Sequence, residues 1–320
     1  MIQTILIDGL AFALPMFIMA IGGIYSEKSG VTNLALEGLQ GFGAFTGALA
    51  AVLLVNALGE GSSIPYALSF CFAVAGGALY ALFHALLCIK FKADQVISGV
   101  VVNILSVALT TFLTGAVNTA VNGTYSNKLV LGVSNRFTVP LLSKIPWVGG
   151  LFTNMYPFEI IILALVVFFW VLMYKTRFGM RLRACGENPQ ALDAAGGNVE
   201  KVRWIAVIIS GALSGIGGIC FAYSLLANFS PGIYLGYGYL AIAAMIFGNW
   251  NIGRTAIVCV VFGLAKSGGY QLCLAMKLPS IYSDLFLMLP YVLTMLLLVF
   301  FSRGNQSPKA VGQPWDKSKR

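Results

Sequence analysis

Residues 174–201 read YKTRFGMRLRACGENPQALDAAGGNVEK, a basic stretch between two long apolar segments. Asn188 is a favourable helix N-cap, and Pro189 suits the first helical position, where its missing N–H costs nothing. About one and a half helical turns can follow before Gly196 or Gly197 ends the helix in the left-handed conformation. The sequence therefore predicts a short helix isolated between two bends.

A helix this short is not stable alone in water, because nucleation is costly and isolated helices under about 12 residues are marginal. It must pack either on its own helical bundle or on a second protein. Its length and its place between two apolar segments make a docking element for another protein at least as good an interpretation as internal packing.

The composition of the whole chain places these apolar segments in a membrane. The 320 residues are 58% hydrophobic and 10% charged, with a mean hydropathy of +0.86, whereas soluble domains carry roughly 25% charged residues. The net charge of +9 does not indicate nucleic-acid binding here, since basic residues beside apolar runs are what membrane topology selects. The chain is predicted to be an all-α polytopic protein in contact with lipid.

A bilayer core about 30 Å thick needs about 20 helical residues to cross it. Nine uncharged or nearly uncharged candidates are present, and the seventh is short and bordered by glycines, so the expected total is eight to ten spans. The candidates are Thr4–Tyr25, Leu34–Asn56, Ile64–Ile89, Val96–Ala116, Pro157–Tyr174, Val202–Ala227, Tyr234–Phe247, Thr255–Leu274 and Ser283–Phe301.

Lysine and arginine set the expected orientation. With the N-terminus outside and nine alternating spans, 15 of the 20 basic residues are cytoplasmic and four lie outside. Residues 1–302 then form a single transmembrane domain with an extracytoplasmic loop at 117–156 and the cytoplasmic loop 174–201. Residues 303–320 form a basic cytoplasmic tail.

Enzymatic chemistry is not expected of this chain. The sequence has no GxxxxGK[ST] phosphate loop, no HExxH, no GxSxG and no CxxC. No catalytic residue and no metal ligand is therefore predicted. The lone histidine, His84, is interpreted as hydrogen-bonded packing within the third span, and any energy from a nucleotide must come from a partner.

Polar groups inside the spans are candidates for a solute pathway, because ionisable groups in a membrane cost a few kcal/mol. Lys266 lies about mid-membrane in the eighth span and is expected to face a wet cavity or an acidic partner; the alternative is a side chain that snorkels outward. Asn103 can both donate to and accept from sugar hydroxyls, with interhelical hydrogen bonding as the equal alternative.

Two further predictions concern structure. Glu37 is expected to stabilise the N-terminus of its own helix with Asn33 as the cap, and to pair with Lys28. The second and sixth spans carry glycine and serine at spacings of three and four residues, which predicts close helix approach. Such surfaces occur both in static helical bundles and in bundles that change conformation, so they do not distinguish the two.

The stretch Thr176 to Gly218 resembles the coupling region of permease subunits of bacterial ABC importers in the branched-chain amino acid, ribose and nucleoside superfamily. Further segments are similar to its nucleoside or simple-sugar branch, in the right order along most of the chain. They are SEKSGVTNLALEG (26–38), DQVISGVVVNILSVALTTFL (94–113), YLAIAAMIFGNWN (239–251) and LPYVLTMLLLV (289–299). Lys266, in FGLAKSGGYQL, departs from the acidic or small residue typical of that family.

The resemblance implies an ABC importer permease fold and inward transport of a nucleoside or simple sugar across the bacterial cytoplasmic membrane. It implies a cytoplasmic ATP-binding subunit holding ATP and Mg²⁺, a second and related permease subunit, and an extracytoplasmic solute-binding protein, with no cofactor in this chain. The residues implied to couple to the ATPase are Gly186, Glu187, Asn188, Pro189, Ala191, Asp193, Ala194, Ala195 and Gly196.

Two other functions remain open from the sequence. A branched-chain amino acid importer would share the same coupling segment. An ion-coupled secondary transporter would need several acidic or amide groups at mid-membrane, and the chain offers few and no paired carboxylates.

Overall fold

A computed structural model describes residues 2–59, 64–131, 136–140, 143, 152–225, 227–279, 282–301, 304 and 306–317. Its helices are α1 (Ile2–Glu27), α2 (Leu36–Leu58), α3 (Ile64–Ala85), α4 (Gln95–Asn122), α5 (Pro157–Lys175), α6 (Arg177–Glu187), α7 (Pro189–Ala194), α8 (Val199–Leu225), α9 (Tyr237–Phe247), α10 (Ile252–Ala275), α11 (Ser283–Leu287) and α12 (Leu289–Phe301). A π-helical turn, Leu86–Lys90, extends α3, and two short strands are β1 (Leu129–Val130) and β2 (Asn228–Phe229).

The predicted polytopic helical architecture is confirmed. Among the described residues, seven helices are long and apolar enough to cross a membrane: α1, α2, α3 with its π-turn, α4, α5, α8 and α10. The seventh predicted segment is only the 11-residue α9, and the ninth is divided between α11 and α12. The count of about nine crossings stays a prediction.

Two helices form the centre of the bundle. In their most apolar windows, 78% of α8 and 67% of α1 is buried, against 22% of α5. The outer helices expose large apolar side chains, such as Phe112 of α4 and Val167 of α5, which suits a surface solvated by lipid rather than water. The buried and exposed faces are therefore both apolar, as expected of a membrane bundle.

Glycine allows α8 to approach its neighbours at the backbone. A Cβ on Gly215 would lie 2.2 Å from the Ala73 carbonyl oxygen, and one on Gly43 would lie 2.4 Å from the Gly215 Cα. Gly77 and Gly211 make the same kind of contact between α3 and α8. The predicted close approach of the glycine-rich spans is confirmed.

The predicted extracytoplasmic loop begins with more helix than expected, because α4 continues to Asn122 rather than ending near Ala116. Beyond it, β1 pairs with β2 in antiparallel register, Leu129 opposite Phe229, so the segments following α4 and α8 meet on one side of the bundle. The apolar stretch IPWV of this loop, residues 145–148, lies outside the described residues.

Candidate coupling surface and solute pathway

The predicted short helix is present as α7. The Asn188 Oδ1 accepts a hydrogen bond from the Ala191 N–H at 3.0 Å, and Pro189 occupies the first helical position. Gly196 ends the segment with φ of +78°, in the left-handed region. The side chain of Asn198 then caps the next helix by accepting from the Lys201 N–H at 2.9 Å. Local sequence thus fixes both ends of α7.

The two faces of α7 have different environments. Pro189 and Leu192 are buried against the bundle, so the helix does pack on its own chain. Ala191, Ala194 and Ala195 are exposed and form a small apolar face without long side chains. Such a face suits close contact with a second protein, although the coupling role itself stays a prediction.

The remaining predicted coupling residues flank this face. Gly186 is buried, and a Cβ there would lie 2.4 Å from the Lys28 carbonyl oxygen, so glycine is required where α6 crosses the α1–α2 turn. Glu187 and Gly196 are exposed, while Asp193 is half-buried.

A buried thiol also ties α6 to the α1–α2 turn. The Cys185 Sγ donates to the Ser29 carbonyl at 3.1 Å. Burial raises the pKa of the Cys185 thiol, and the charge of Arg203 opposes that rise. The segment before α7 is therefore held firmly to the transmembrane helices.

A second group of residues meets where α9 begins inside the bundle. At about 1.5 Å per residue, the 11 residues of α9 cover about half of a bilayer core of about 30 Å. Gly236 precedes the helix with φ of +93°, a conformation that favours glycine. Discontinuous helices of this kind border solute sites in many transporters.

Glu37 satisfies the amides at this helix start. Its carboxylate accepts hydrogen bonds from the N–H groups of Gly236 and of Gly238, the latter at 2.8 Å. Glu37 does lie in the first turn of α2, as expected, but the N-cap is Ala35 rather than Asn33, and no ion pair joins Glu37 to Lys28 among the described residues. The carboxylate also lies at the positive end of the α9 dipole, where these two amides lack intrahelical partners.

Replacing Glu37 with Gln should destabilise this junction. The amide NH2 cannot accept, so one backbone N–H of α9 loses its partner, at a cost of about 1–3 kcal/mol. We expect a lower melting temperature of the detergent-solubilised protein and slower solute uptake. The matched substitution Asp8→Asn, at an exposed position, should change neither, and equal melting temperatures for the two variants would contradict the role given to Glu37.

Lys266 also contacts the start of α9. Its Nζ donates to the Tyr237 Oη at 2.7 Å and lies 3.8 Å from the Phe12 ring centroid and 4.2 Å from that of Tyr237. The ammonium is thus held between two rings rather than extended to a membrane surface. No carboxylate pairs with it among the described residues, so the expected acidic partner is replaced by aromatic faces and a phenol.

Asn103 is fully engaged by the protein. Its Oδ1 accepts from the Gly38 N–H at 2.7 Å, and its Nδ2 donates to the Leu34 carbonyl at 2.8 Å and to the Tyr239 Oη at 3.0 Å. This geometry favours the interhelical interpretation over solute contact. Direct contact with solute stays a prediction that needs one of these bonds to open.

His84 has the structural role that was predicted. Its Nδ1 lies 2.9 Å from the Ser98 Oγ and its Nε2 lies 3.0 Å from the Thr32 carbonyl oxygen. Both ring nitrogens are therefore used in joining α3, α4 and the segment before α2.

Sequence reasoning missed three aromatic residues beside Lys266 and Asn103. Phe12 and Tyr237 border the ammonium, and Tyr239 is 47% exposed next to Asn103. The glycines around Tyr237 and Tyr239 signalled an interrupted helix, but not which side chains it would place at the interruption.

Comparison with known proteins relates nearly the whole chain to one family. The family described as branched-chain amino acid transport system / permease component matches residues 5–299. No solved structure matches the chain.

Three curated relatives are informative. The chain is 38% identical to the guanosine ABC transporter permease protein NupQ of Bacillus subtilis, over 97% of this chain and 96% of the relative. It is 37% identical to the nucleoside ABC transporter permease protein NupC of Lactococcus lactis, over 99% and 98%. It is 26% identical to a second B. subtilis protein, the guanosine ABC transporter permease protein NupP, over 85% and 75%. The family match spans nearly all the described helices, and the chain therefore belongs to the family of branched-chain amino acid transport system permease components.

Proposed function

We propose that this chain is the membrane-spanning subunit of an ATP-driven importer that moves nucleosides across the bacterial cytoplasmic membrane. The exposed alanine face of α7 is the observation that carries the proposal, because it offers a docking element on a chain that has no phosphate loop of its own. Two near-full-length relatives named for guanosine or nucleosides support the solute class.

The proposal requires three partners. A cytoplasmic ATP-binding subunit binds ATP and Mg²⁺ and docks on Ala191, Ala194 and Ala195. An extracytoplasmic solute-binding protein delivers the nucleoside. The second permease subunit is a related chain, which is supported by the two guanosine permease proteins of one organism that both resemble this sequence.

Coupling follows from how α7 is anchored. Leu192 and Pro189 fix it to the bundle, while α8 begins five residues after α7 and passes through the centre. A push on the alanine face therefore moves the central helix that packs on α1, α2 and α3. Nucleotide shifts the access equilibrium only by its differential affinity for the two states.

The start of α9 suits a nucleoside on its way through the membrane. Aromatic rings stack on flat bases regardless of base identity, and the ring of Tyr239, which is 47% exposed, is available for such stacking. The Lys266 ammonium and the Tyr239 hydroxyl can bond base carbonyls and ribose hydroxyls. Asn103 would join them only if its bond to Tyr239 opens.

Replacing Lys266 with Met tests the pathway. Methionine keeps a long flexible chain but cannot donate, so uptake should fall about tenfold, the equivalent of one charged hydrogen bond at roughly 1.4 kcal/mol. Assembly with the ATP-binding subunit should be unchanged. Full uptake by this variant would remove Lys266 from the pathway, whereas Lys277→Met, at an exposed position, should transport normally.

The solute class is tested by uptake of labelled guanosine into cells expressing the complete importer. Unlabelled adenosine, cytidine or uridine should compete, because stacking tolerates any base, and glucose or leucine should not. Competition by glucose but by no nucleoside would identify the transported solute as a sugar. Competition by leucine alone would favour the amino acid importer.

A further inference from the structure

The segment 306–317 folds back on the cytoplasmic side instead of extending into solvent. Ala310 is 4% exposed, and its N–H donates to the Gly186 carbonyl at 2.8 Å, at the end of α6. The Gln306 N–H donates to the Asn249 Oδ1 at 3.0 Å, between α9 and α10. This segment, here named the C-terminal strap, therefore touches the coupling region directly.

Arg203 of α8 joins the strap to the bundle core. Its side chain is 1% exposed, its Nε donates to the Ser29 carbonyl at 3.2 Å, and its Nη1 donates to the Gln313 carbonyl at 2.9 Å. A buried guanidinium is costly unless its donors are used, and two of its three nitrogens donate to these carbonyls, which ties the strap to α8. The third nitrogen, Nη2, has no hydrogen-bond partner among the described residues. Asp316 adds an ion pair with Lys92 at 3.3 Å.

The end of the strap and the end of α7 border a groove of about 480 Å³. Half-buried Trp315 and buried Val199 contribute apolar surface to its lining. Glu200 and Lys317 place opposite charges on the rim.

This groove is continuous with the exposed alanine face. Ala194 and Ala195 immediately precede Gly196 of the groove wall, so a protein covering the alanines also reaches the groove. An indole next to an exposed apolar surface is a favourable anchor for a partner side chain. The charged rim can pair with groups of both signs around that anchor.

We propose that the C-terminal strap completes the docking surface for the ATP-binding subunit, with Trp315 and Lys317 receiving a protruding segment that carries an apolar side chain beside a charged one. The inference rests on the proposed function. It adds that docking is shared between α7 and residues near the end of the chain, more than 100 positions apart in sequence.

Photocrosslinking in native vesicles of the assembled importer tests the strap proposal separately from the proposed importer function. A benzophenone amino acid is placed at Lys317, at Ala194 and, as a control, at exposed Lys309 of the same strap. We expect capture of the ATP-binding subunit from positions 317 and 194 and not from 309. Capture from 194 alone overturns the strap proposal and leaves the importer, whereas no capture from 194 overturns the proposed function itself.

Trp315→Ala provides an independent measurement on the same complex. It should lower the amount of ATP-binding subunit that copurifies with the permease about tenfold, as expected for truncation of an anchoring tryptophan. Lys309→Ala should leave that amount unchanged. Equal retention by both variants contradicts the proposal. If Trp315→Ala fails to fold, the crosslinking result is the deciding test.

Discussion

Ala194→Arg is expected to lower nucleoside uptake about 100-fold or more. At about 1.4 kcal/mol per tenfold change, this corresponds to a loss of at least ~2.8 kcal/mol in the free energy of coupling between the helix and the ATP-binding subunit. Ala194 lies on the exposed face of α7, and a long guanidinium there would hold the ATP-binding subunit away from the helix. Binding of solute by the extracytoplasmic protein should be unaffected, because it occurs across the membrane. The measurement is initial uptake of labelled guanosine, with ligand binding by the purified binding protein as the second readout.

The control places the same new side chain elsewhere on the cytoplasmic side. Ala93 is exposed between α3 and α4, so Ala93→Arg adds an identical charge without touching α7. It should transport at the parental rate. Normal uptake by Ala194→Arg would show that α7 does not couple, while a loss in both variants would point to nonspecific charge effects.

Gly215→Leu is expected to prevent stable folding. The Cβ alone would lie 2.2 Å from the Ala73 carbonyl oxygen, and because that atom belongs to a backbone, α3 would have to move away from α8. Overpacking of a tight interior costs about 1–3 kcal/mol and more where backbone must shift. The expected result is a large loss of monodisperse protein in size-exclusion chromatography after detergent extraction.

A second helical glycine provides the comparison. A Cβ on Gly268 of α10 would have no other atom within 4 Å among the described residues, so Gly268→Leu should give near-parental yield and melting temperature. If Gly215→Leu were as stable as Gly268→Leu, the close packing of α8 on α3 would not hold the bundle together.

Local features of the fold could be predicted from sequence. Asn188, Pro189 and Gly196 determine α7 through capping and backbone preferences that act within a few residues. The length of the apolar segments in the sequence likewise located the seven long helices. Both signals are read along the chain and need no knowledge of which helices are neighbours.

Contacts between distant segments could not be predicted in this way. Glu37 lies in the first turn of its own helix as expected, but its carboxylate also binds amides about 200 positions away, at Gly236 and Gly238. Lys266 was expected to meet water or a carboxylate, and it lies between Phe12 and Tyr237. Both sets of partners are supplied only by the tertiary arrangement of α1, α2 and α9.

The contacts of the C-terminal strap could not be predicted from sequence either. Residues 303–320 carry five basic residues and one acidic residue, a composition that predicts a basic cytoplasmic tail but not its contacts. The burial of Ala310 and the bonds to Arg203 follow from backbone carbonyls and amides, which composition does not report.

The energy source tests the central claim most directly. The purified importer is reconstituted in vesicles with its binding protein on one side and ATP with Mg²⁺ on the other, and uptake of labelled guanosine is followed with and without an ionophore. We predict that uptake stops when ATP is withdrawn and continues at the same rate when the ionophore collapses all ion gradients. Uptake that persists without ATP and stops with the ionophore would contradict the account and make the chain an ion-coupled transporter.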